Sequence, residues 1–254
     1  MTEVPDTAAD ARCANGSDAL PSLAAERLST LSTSVNPGDV TDSLDRVCAT
    51  AVLTIQGAEL AGISQAAPGM LFASLAASDQ LAGTIDRLQC NAGEGPSIAA
   101  MADHQIIRIA DLASDQRWPA FAIQAMRYGI RSLLAVRVTV GKRGWGVLSL
   151  YSTNPAAFRP QDEVAGLLLA TFAAVAVADA QQQEHLRAGL VSRDLIGQAK
   201  GVLMERYHID ERKAFALLVR LSQDNNRRLI DIADRVVRTG EDPTEAVGHL
   251  PRRD

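Results

Sequence analysis

Cysteine is scarce in this chain, and no two cysteines stand close together. Cys13, Cys48 and Cys90 are the only three. An odd number at wide spacing excludes a disulfide framework and a Cys/His zinc cluster as organising devices. A reducing cytosol is the simplest setting. Aromatic residues make up only 4% of the chain, so large rings cannot dominate its core, and Ala-rich helices packed through small side chains are expected instead. Long apolar runs are missing too. The longest, Val164 to Ala178, is bounded by Asp162, Glu163 and Asp179 and falls short of the ~20 residues that span a bilayer. The first residues, MTEVPDTAADARCANGSDALP, are acidic and have no basic segment leading into an apolar one, so no signal peptide is expected. A cytoplasmic protein with no membrane partner follows.

Catalytic signatures are also lacking. His104, His185, His208 and His249 are scattered. There is no Ser/His/Asp order, no HExxH and no phosphate-cradling GKS/T loop. GEGP at residues 93–96 lacks the strand-to-helix context of a dinucleotide fingerprint. The chain reads as a non-enzyme, and nothing in it names a cofactor or a metal.

What is present is 254 residues, 47% of them apolar, with a formal charge of −5. That is enough for one large domain or two small ones. The charge is unevenly placed. Residues 1–186 hold 12 Lys/Arg against 19 Asp/Glu, whereas residues 187–238 hold 11 against 7. An acidic front and a basic back point to two parts with different partners.

Periodicity supports this division. Residues 1–20 are small and polar and read as a disordered tail. SLAAERLSTLS (22–32) reads as a short helix. In 39–55, Val40, Leu44, Val47 and Ala51 share one helical face. AELAGISQ (58–65) and GMLFASLAA (69–77) read as a hairpin, and 78–89 as a helix with Ser78 as its N-cap. Residues 105–111 read as a strand and 121–129 as a helix ended by Gly129. SLLAVRVTV and GWGVLSLYS around GKRG read as a second hairpin over 132–152. About five mostly hairpin-paired strands with helices between them predict an α+β fold around an antiparallel sheet.

Proline then vanishes between Pro160 and Pro243. A helix is expected from Pro160 to about Tyr207, with Pro160 in its first turn and Asp162 and Glu163 complementing its positive end. Val164, Leu168, Thr171, Val175 and Ala178 follow a 4-3 spacing, which suggests a short dimer-forming stalk. Beyond it, Asp210 reads as an N-cap. Ala214, Leu217, Leu218 and Leu221, then Leu229, Ile232, Ala233 and Val236, form two more apolar stripes. Leu203, Phe215 and Leu218 are expected in the core of a three-helix tail.

The tail holds an oddity, Ala199-Lys200-Gly201 in mid-helix, where Gly costs about 0.5–1 kcal/mol against Ala. Two explanations stand. The low relief admits a phosphate or an unstacked base while Lys200 neutralises charge, or Ala and Gly pack closely against another helix. Arg220, off the apolar stripe, and Arg227 and Arg228, at the start of the last helix, are further candidate anion contacts. Glu211 reads as structural, in the first turn of its helix. Tyr207 reads as packing at a helix end, with stacking on a base as the alternative. In the front half His104, Arg117, Trp118 and Cys90 are candidates for lining a pocket.

These residues carry two resemblances. IGQAKGVLMERYHIDERKAFALLVRLSQDNNRRLIDIADRVV resembles an ANTAR domain, the three-helix RNA-binding module of transcription antiterminators. Its carrying residues are Ala199-Lys200-Gly201, Leu203-Met204, Glu211, Ala214-Phe215, Leu229 and Ala233. Over residues 39–180, GEGPS, DQRWPAF, YGIRSLLAVRV and GWGVLSLYSTNPAAF resemble a GAF domain, a small-molecule or cofactor sensor. Ser97 stands where related regulators often have Cys, so a thiol sensor is not implied there.

With the compositional reading, the resemblances give a disordered tail (1–20), a GAF-like sensor (21–180), a helical linker (181–189), an ANTAR domain (190–240) and a C-terminal tail (241–254). Together with the stalk stripe and the positions of the cations, they give an expected homodimer in which Ala199, Lys200, Gly201, Arg220, Arg227 and Arg228 bind hairpins in leader transcripts. The alternative for the three arginines is a solvated charged face. Arg117 and Trp118 are the candidates for a small-molecule ligand. The rivals are a DNA-binding regulator, an enzyme using the front half, and a tail that only dimerises.

Overall fold

Alternation along the two central strands explains the architecture. The structure, a computed structural model, describes residues 40–67, 70–102 and 105–239. The expected tails, the helix at 22–32, Cys13 and His104 lie outside the described residues. The elements run α1 (Val40–Thr54), β1 (Leu60–Ala67), β2 (Met70–Ala77), α2 (Gln80–Ala92), α3 (Pro96–Ala102), β3 (Ile106–Ile109), α4 (Pro119–Arg127), β4 (Ser132–Val140), β5 (Arg143–Ser152), α5 (Pro160–Tyr207), α6 (Glu211–Asp224) and α7 (Leu229–Thr239). The five strands form one antiparallel sheet in the order β2-β1-β5-β4-β3.

Successive side chains on a strand point to opposite faces. Leu134, Val136 and Val138 of β4, with Leu148 and Leu150 of β5, join Leu44, Val47 and Ala51 of α1 and Leu169, Ala173 and Val177 of α5 in one cluster. Leu133, Ala135, Val147 and Tyr151 point the other way. They pack with Ala82 and Ile85 of α2, Ala100 of α3 and Phe121 and Ala125 of α4. The sheet is therefore buried on both faces, which is why its central strands read as nearly continuous apolar runs.

The start of α2 differs from the sequence expectation. Asp79, not Ser78, is the N-cap, its carboxylate accepting from the Leu81 N–H at 2.7 Å. Ser78 is engaged elsewhere, its hydroxyl accepting from the Ala61 N–H at 2.9 Å. The entry to α5 is as expected. Asp162 reaches back to accept from the Arg159 N–H at 2.7 Å, and Glu163 accepts from Arg108 at 2.6 Å.

The chain divides into two units, residues 1–180 and 181–254, and α5 runs through the boundary without a break. In the second unit Ala199 and Leu203 of α5, Ala214, Leu218 and Leu221 of α6, and Ile232, Ala233 and Val236 of α7 form a separate buried cluster. Asp210 caps α6 as expected, accepting from the Lys213 N–H at 2.8 Å. Among the described residues, α5 alone holds a stretch long and apolar enough to cross a membrane by length and composition, and a third of that stretch is buried within the protein.

Candidate functional sites

In the second unit the Ala199-Lys200-Gly201 triplet splits three ways. Ala199 is fully buried; it belongs to the core and cannot touch a ligand, which corrects its place among the contact residues. Gly201 is exposed, and a Cβ added there would meet nothing within 4 Å. Close packing at Gly201 is therefore not the reason for this glycine. Lys200 lies between these extremes. Its side chain is 22% exposed and its Nζ donates to Glu211 Oε1 at 2.5 Å. The ammonium beside Glu211 holds that carboxyl below its usual range. Glu211 thus does more than complement a helix end.

Phe215 overturns an expectation. It is 43% exposed, not core. The buried stripe of α6 runs through Ala214, Leu218 and Leu221, and Phe215 sits about 100° around the helix from Ala214. It lies one turn beyond Glu211 on the same side, so the carboxylate that holds Lys200 is followed by an exposed ring. On α5, Gly197 and Gly201 stand one turn apart, both exposed with open space above them, and Met204 is exposed one turn beyond Lys200. The result is a low, glycine-bared face edged by a cation and apolar side chains.

Of the other candidate cations, Arg220 faces away from it. Arg220 is nine residues past Glu211, which places it about 180° around α6, and it pairs with Asp224 at 3.5 Å. Arg228 pairs with Asp231 at 3.0 Å. Arg227 is exposed and has no ion-pair partner among the described residues. It sits in the turn where Asn226 adopts φ 47° and the Ser222 hydroxyl donates to the Arg227 carbonyl at 2.6 Å. Tyr207 packs against the core of this unit, as expected.

In the first unit, Arg117 lies on the wall of an open cleft of about 460 Å³ shared with Arg108, Asp111, Ser114, Asp115 and Gln116. The charges there are paired. Arg117 holds Asp115 at 2.5 Å and stacks over the Trp118 ring at 4.4 Å, while Asp111 holds Arg131 at 2.7 Å. Trp118 packs against the core beneath α4. Cys90 is half-buried.

The GEGPS motif has a local explanation. Gly93 ends α2 at φ 68°. The Glu94 carboxylate accepts from the Ala120 and Phe121 N–H groups at the start of α4, at 2.7 and 3.3 Å. A Cβ at Gly95, φ 152°, would strike Gln89 Oε1 at 2.5 Å. That glycine brings Ser97 onto Gln89, whose Oε1 accepts from the Ser97 N–H at 2.8 Å and whose Nε2 donates to Ser97 Oγ at 2.8 Å. Ser97 Oγ in turn shares a 2.8 Å bond with Ser149 Oγ, and Gln89 Nε2 reaches the Tyr151 hydroxyl at 3.3 Å. Tyr151 donates to Asp86. This buried polar chain links α2, α3 and β5.

Comparison with known families gives a GAF domain over residues 38–178 and an ANTAR domain over residues 184–237. The chain is a GAF–ANTAR protein. A search of curated proteins gives no match. The GAF–ANTAR chain is similar in fold to solved GAF structures. One is the free methionine-R-sulfoxide reductase of Neisseria meningitidis in complex with its substrate. It is 17% identical with a TM-score of 0.52, covering 65% of this chain and 91% of that one. Another is the GAF domain of an Acinetobacter phosphoenolpyruvate-protein phosphotransferase, at 14% and 0.51, covering 65% and 96%. A third is the phycoerythrobilin-bound GAF domain of a cyanobacterial phytochrome, at 13% and 0.51, covering 64% and 97%. At such identities the likeness shows the fold alone. The two domains make the GAF–ANTAR protein a regulator in which a sensor domain precedes an ANTAR domain.

Proposed function

We propose that this protein is a cytoplasmic transcription antiterminator. Its ANTAR domain binds hairpins in nascent leader transcripts, and its GAF domain admits the signal. The observation that carries this reading is the Lys200 face: a cation and an exposed Phe215 ring beside bare helix at Gly197 and Gly201. Hairpin loops offer splayed bases for stacking and phosphates for cations. Stacking a base on an exposed aromatic is worth roughly 1–3 kcal/mol, which gives the otherwise wasteful exposure of Phe215 a use. Gly201 lets the loop backbone approach. Arg220, Arg227 and Arg228 serve as outlying phosphate contacts, reached by a longer RNA stem. Ala199 supports this face from beneath.

A small molecule at the cleft lined by Arg117, whose guanidinium lies over the Trp118 ring, is the proposed signal. A homodimer along α5 would present two ANTAR domains to paired hairpins, and two linked sites gain through effective concentration. A signal ligand shifts that arrangement only by binding one state better than another. The proposed domain limits are 21–180 for the sensor, 181–189 for the linker and 190–240 for the effector.

The test is competition between hairpin RNA and duplex DNA of matched length for the full chain, at one fixed salt concentration, because salt governs such affinities. Preference for the hairpin supports antitermination. Equal or better binding to duplex DNA contradicts it and favours a DNA-binding regulator.

A further inference from the structure

We propose that Asp86 is a proton-sensing group inside the GAF domain, a second input separate from the cleft at Arg117. The argument begins with where the carboxyl sits. Asp86 is on the buried face of α2, 3% exposed, between that helix and the sheet. Its Oδ1 accepts from the Tyr151 hydroxyl. Its Oδ2 has no hydrogen-bond partner. That oxygen lies so close to β1 that a Cβ added at Gly62 would meet it at 2.5 Å. Ser64 is near enough to favour the anion without standing in hydrogen-bonding geometry to it.

Among the described residues no cation forms an ion pair with Asp86. Tyr151 comes from β5, and Cys48 of α1 feels the carboxylate across the interior. β1, β2 and α3 contain no titratable residue, and α4 contains only Arg127 in its last turn. α1 carries Asp42, Asp45 and Arg46 besides Cys48, and Asp45 acts on the same thiol and accepts from the Ala77 N–H. Arg87, the next residue of α2, is the cation that stabilises the anion, and it does so less than Tyr151 and Ser64 do. Burying an ionised carboxylate against neutral groups is costly, and the group answers by holding its proton. Burial accordingly raises the Asp86 pKa from 3.8 to about 6. The same burial pushes the Cys48 thiol and the Tyr151 phenol up, which keeps both neutral.

Proton uptake changes the direction of hydrogen bonding, and no covalent bond between heavy atoms is made or broken. With Asp86 ionised, Tyr151 must donate to it and can only accept from Gln89 Nε2. With Asp86 protonated, the carboxyl is itself a donor, and Tyr151 is released to donate elsewhere. Gln89 ties this choice to Ser97 at the start of α3 and, through Ser97, to Ser149 of β5. One proton at Asp86 thus frees the Tyr151 O–H at the head of a chain that holds two helices to the sheet, while the bonds from Gln89 Nε2, which can only donate, keep their direction.

The sign of the stability effect follows. The folded pKa lies above the unfolded one, so this group favours folding fully below about pH 4, and its contribution is lost as pH rises through about 6. From Asp86 alone, the unfolding constant at pH 5 should be roughly tenfold smaller than at pH 7. The experiment uses the full chain and measures denaturant unfolding from pH 4.5 to 7.5 for wild type, Asp86→Asn and Tyr151→Phe. pH-difference infrared spectra record the carbonyl band of a protonated carboxyl. The expected result is a pH slope present in wild type and lost in Asp86→Asn. Tyr151→Phe, lacking the hydroxyl that donates to the anion, should move the carboxyl titration to higher pH. Equal slopes in wild type and Asp86→Asn would overturn the proposal. So would an infrared titration that Tyr151→Phe leaves unmoved, a readout that holds even if Asp86→Asn does not fold. RNA binding plays no part in these readouts, so they stand apart from the antitermination reading.

Discussion

Gly201 and Phe215 are the residues at which folding and function pull apart. A helix-interior glycine with open space above it has no packing role. Gly201→Ala should therefore stabilise the second unit by about 0.5–1 kcal/mol through helix propensity. Gly201→Leu should also leave stability intact while weakening hairpin RNA binding, because the branched side chain stands where the backbone of the loop would approach. Thermal unfolding beside RNA titration separates the two effects. A large loss of stability in Gly201→Leu would mean that the face is packed after all. Phe215→Ala gives the complementary contrast. A core phenylalanine costs about 3–5 kcal/mol on truncation. This exposed one should cost far less stability, yet lower hairpin affinity by roughly the stacking energy of one base. Phe215 stands one residue off the core stripe on the helical wheel, so its apolar type alone misplaces it. The stripe through Ala214, Leu218 and Leu221 is complete without it. The Asp86–Tyr151 contact lay beyond sequence reasoning for a different reason. Its partners are 65 residues apart, and only the fold brings them together.

At the scale of elements, α5 is the main case. Its breakless run was legible from the missing prolines and from the Pro160, Asp162 and Glu163 signals, and the structure extends it over Pro160–Tyr207. One side buries Leu169, Ala170, Ala173 and Val177 against the sheet. The 4-3 stripe lies outside that contact, with Val164, Leu168 and Val175 exposed at 63%, 46% and 58%. Such a seam is what a second helix would cover in a coiled coil. Replacing Leu168 and Val175 together with Asp should convert a dimer to a monomer and leave the fold of each unit intact, as read by light scattering and circular dichroism. An unchanged mass would show that copies do not pair through this stripe. Strand positions and the two hairpins were also legible, because β-branched and apolar runs bounded by turn residues leave few alternatives. The cap of α2 was not, since Ser78 and Asp79 are both good caps and only the tertiary bond to Ala61 decides between them.

For the whole molecule, the uneven charge finds a structural counterpart. The acidic front folds as the GAF domain and the basic back as the ANTAR domain. Many of the cations in the back are already engaged. Lys200, Arg220 and Arg228 each hold a carboxylate. Binding RNA then means exchanging Glu211 for a phosphate at Lys200, so affinity depends on how well the loop fits the face and not on net charge alone. The most direct measurement is hairpin RNA affinity of the full chain at fixed salt, wild type against Lys200→Ala, with helicity and mass recorded on the same samples. A loss of roughly tenfold or more with unchanged helicity and mass is the expected result, in line with the ~1.5–3 kcal/mol of a hydrogen bond to a charged group. Unchanged affinity in a folded Lys200→Ala protein would contradict the assignment of this face to RNA.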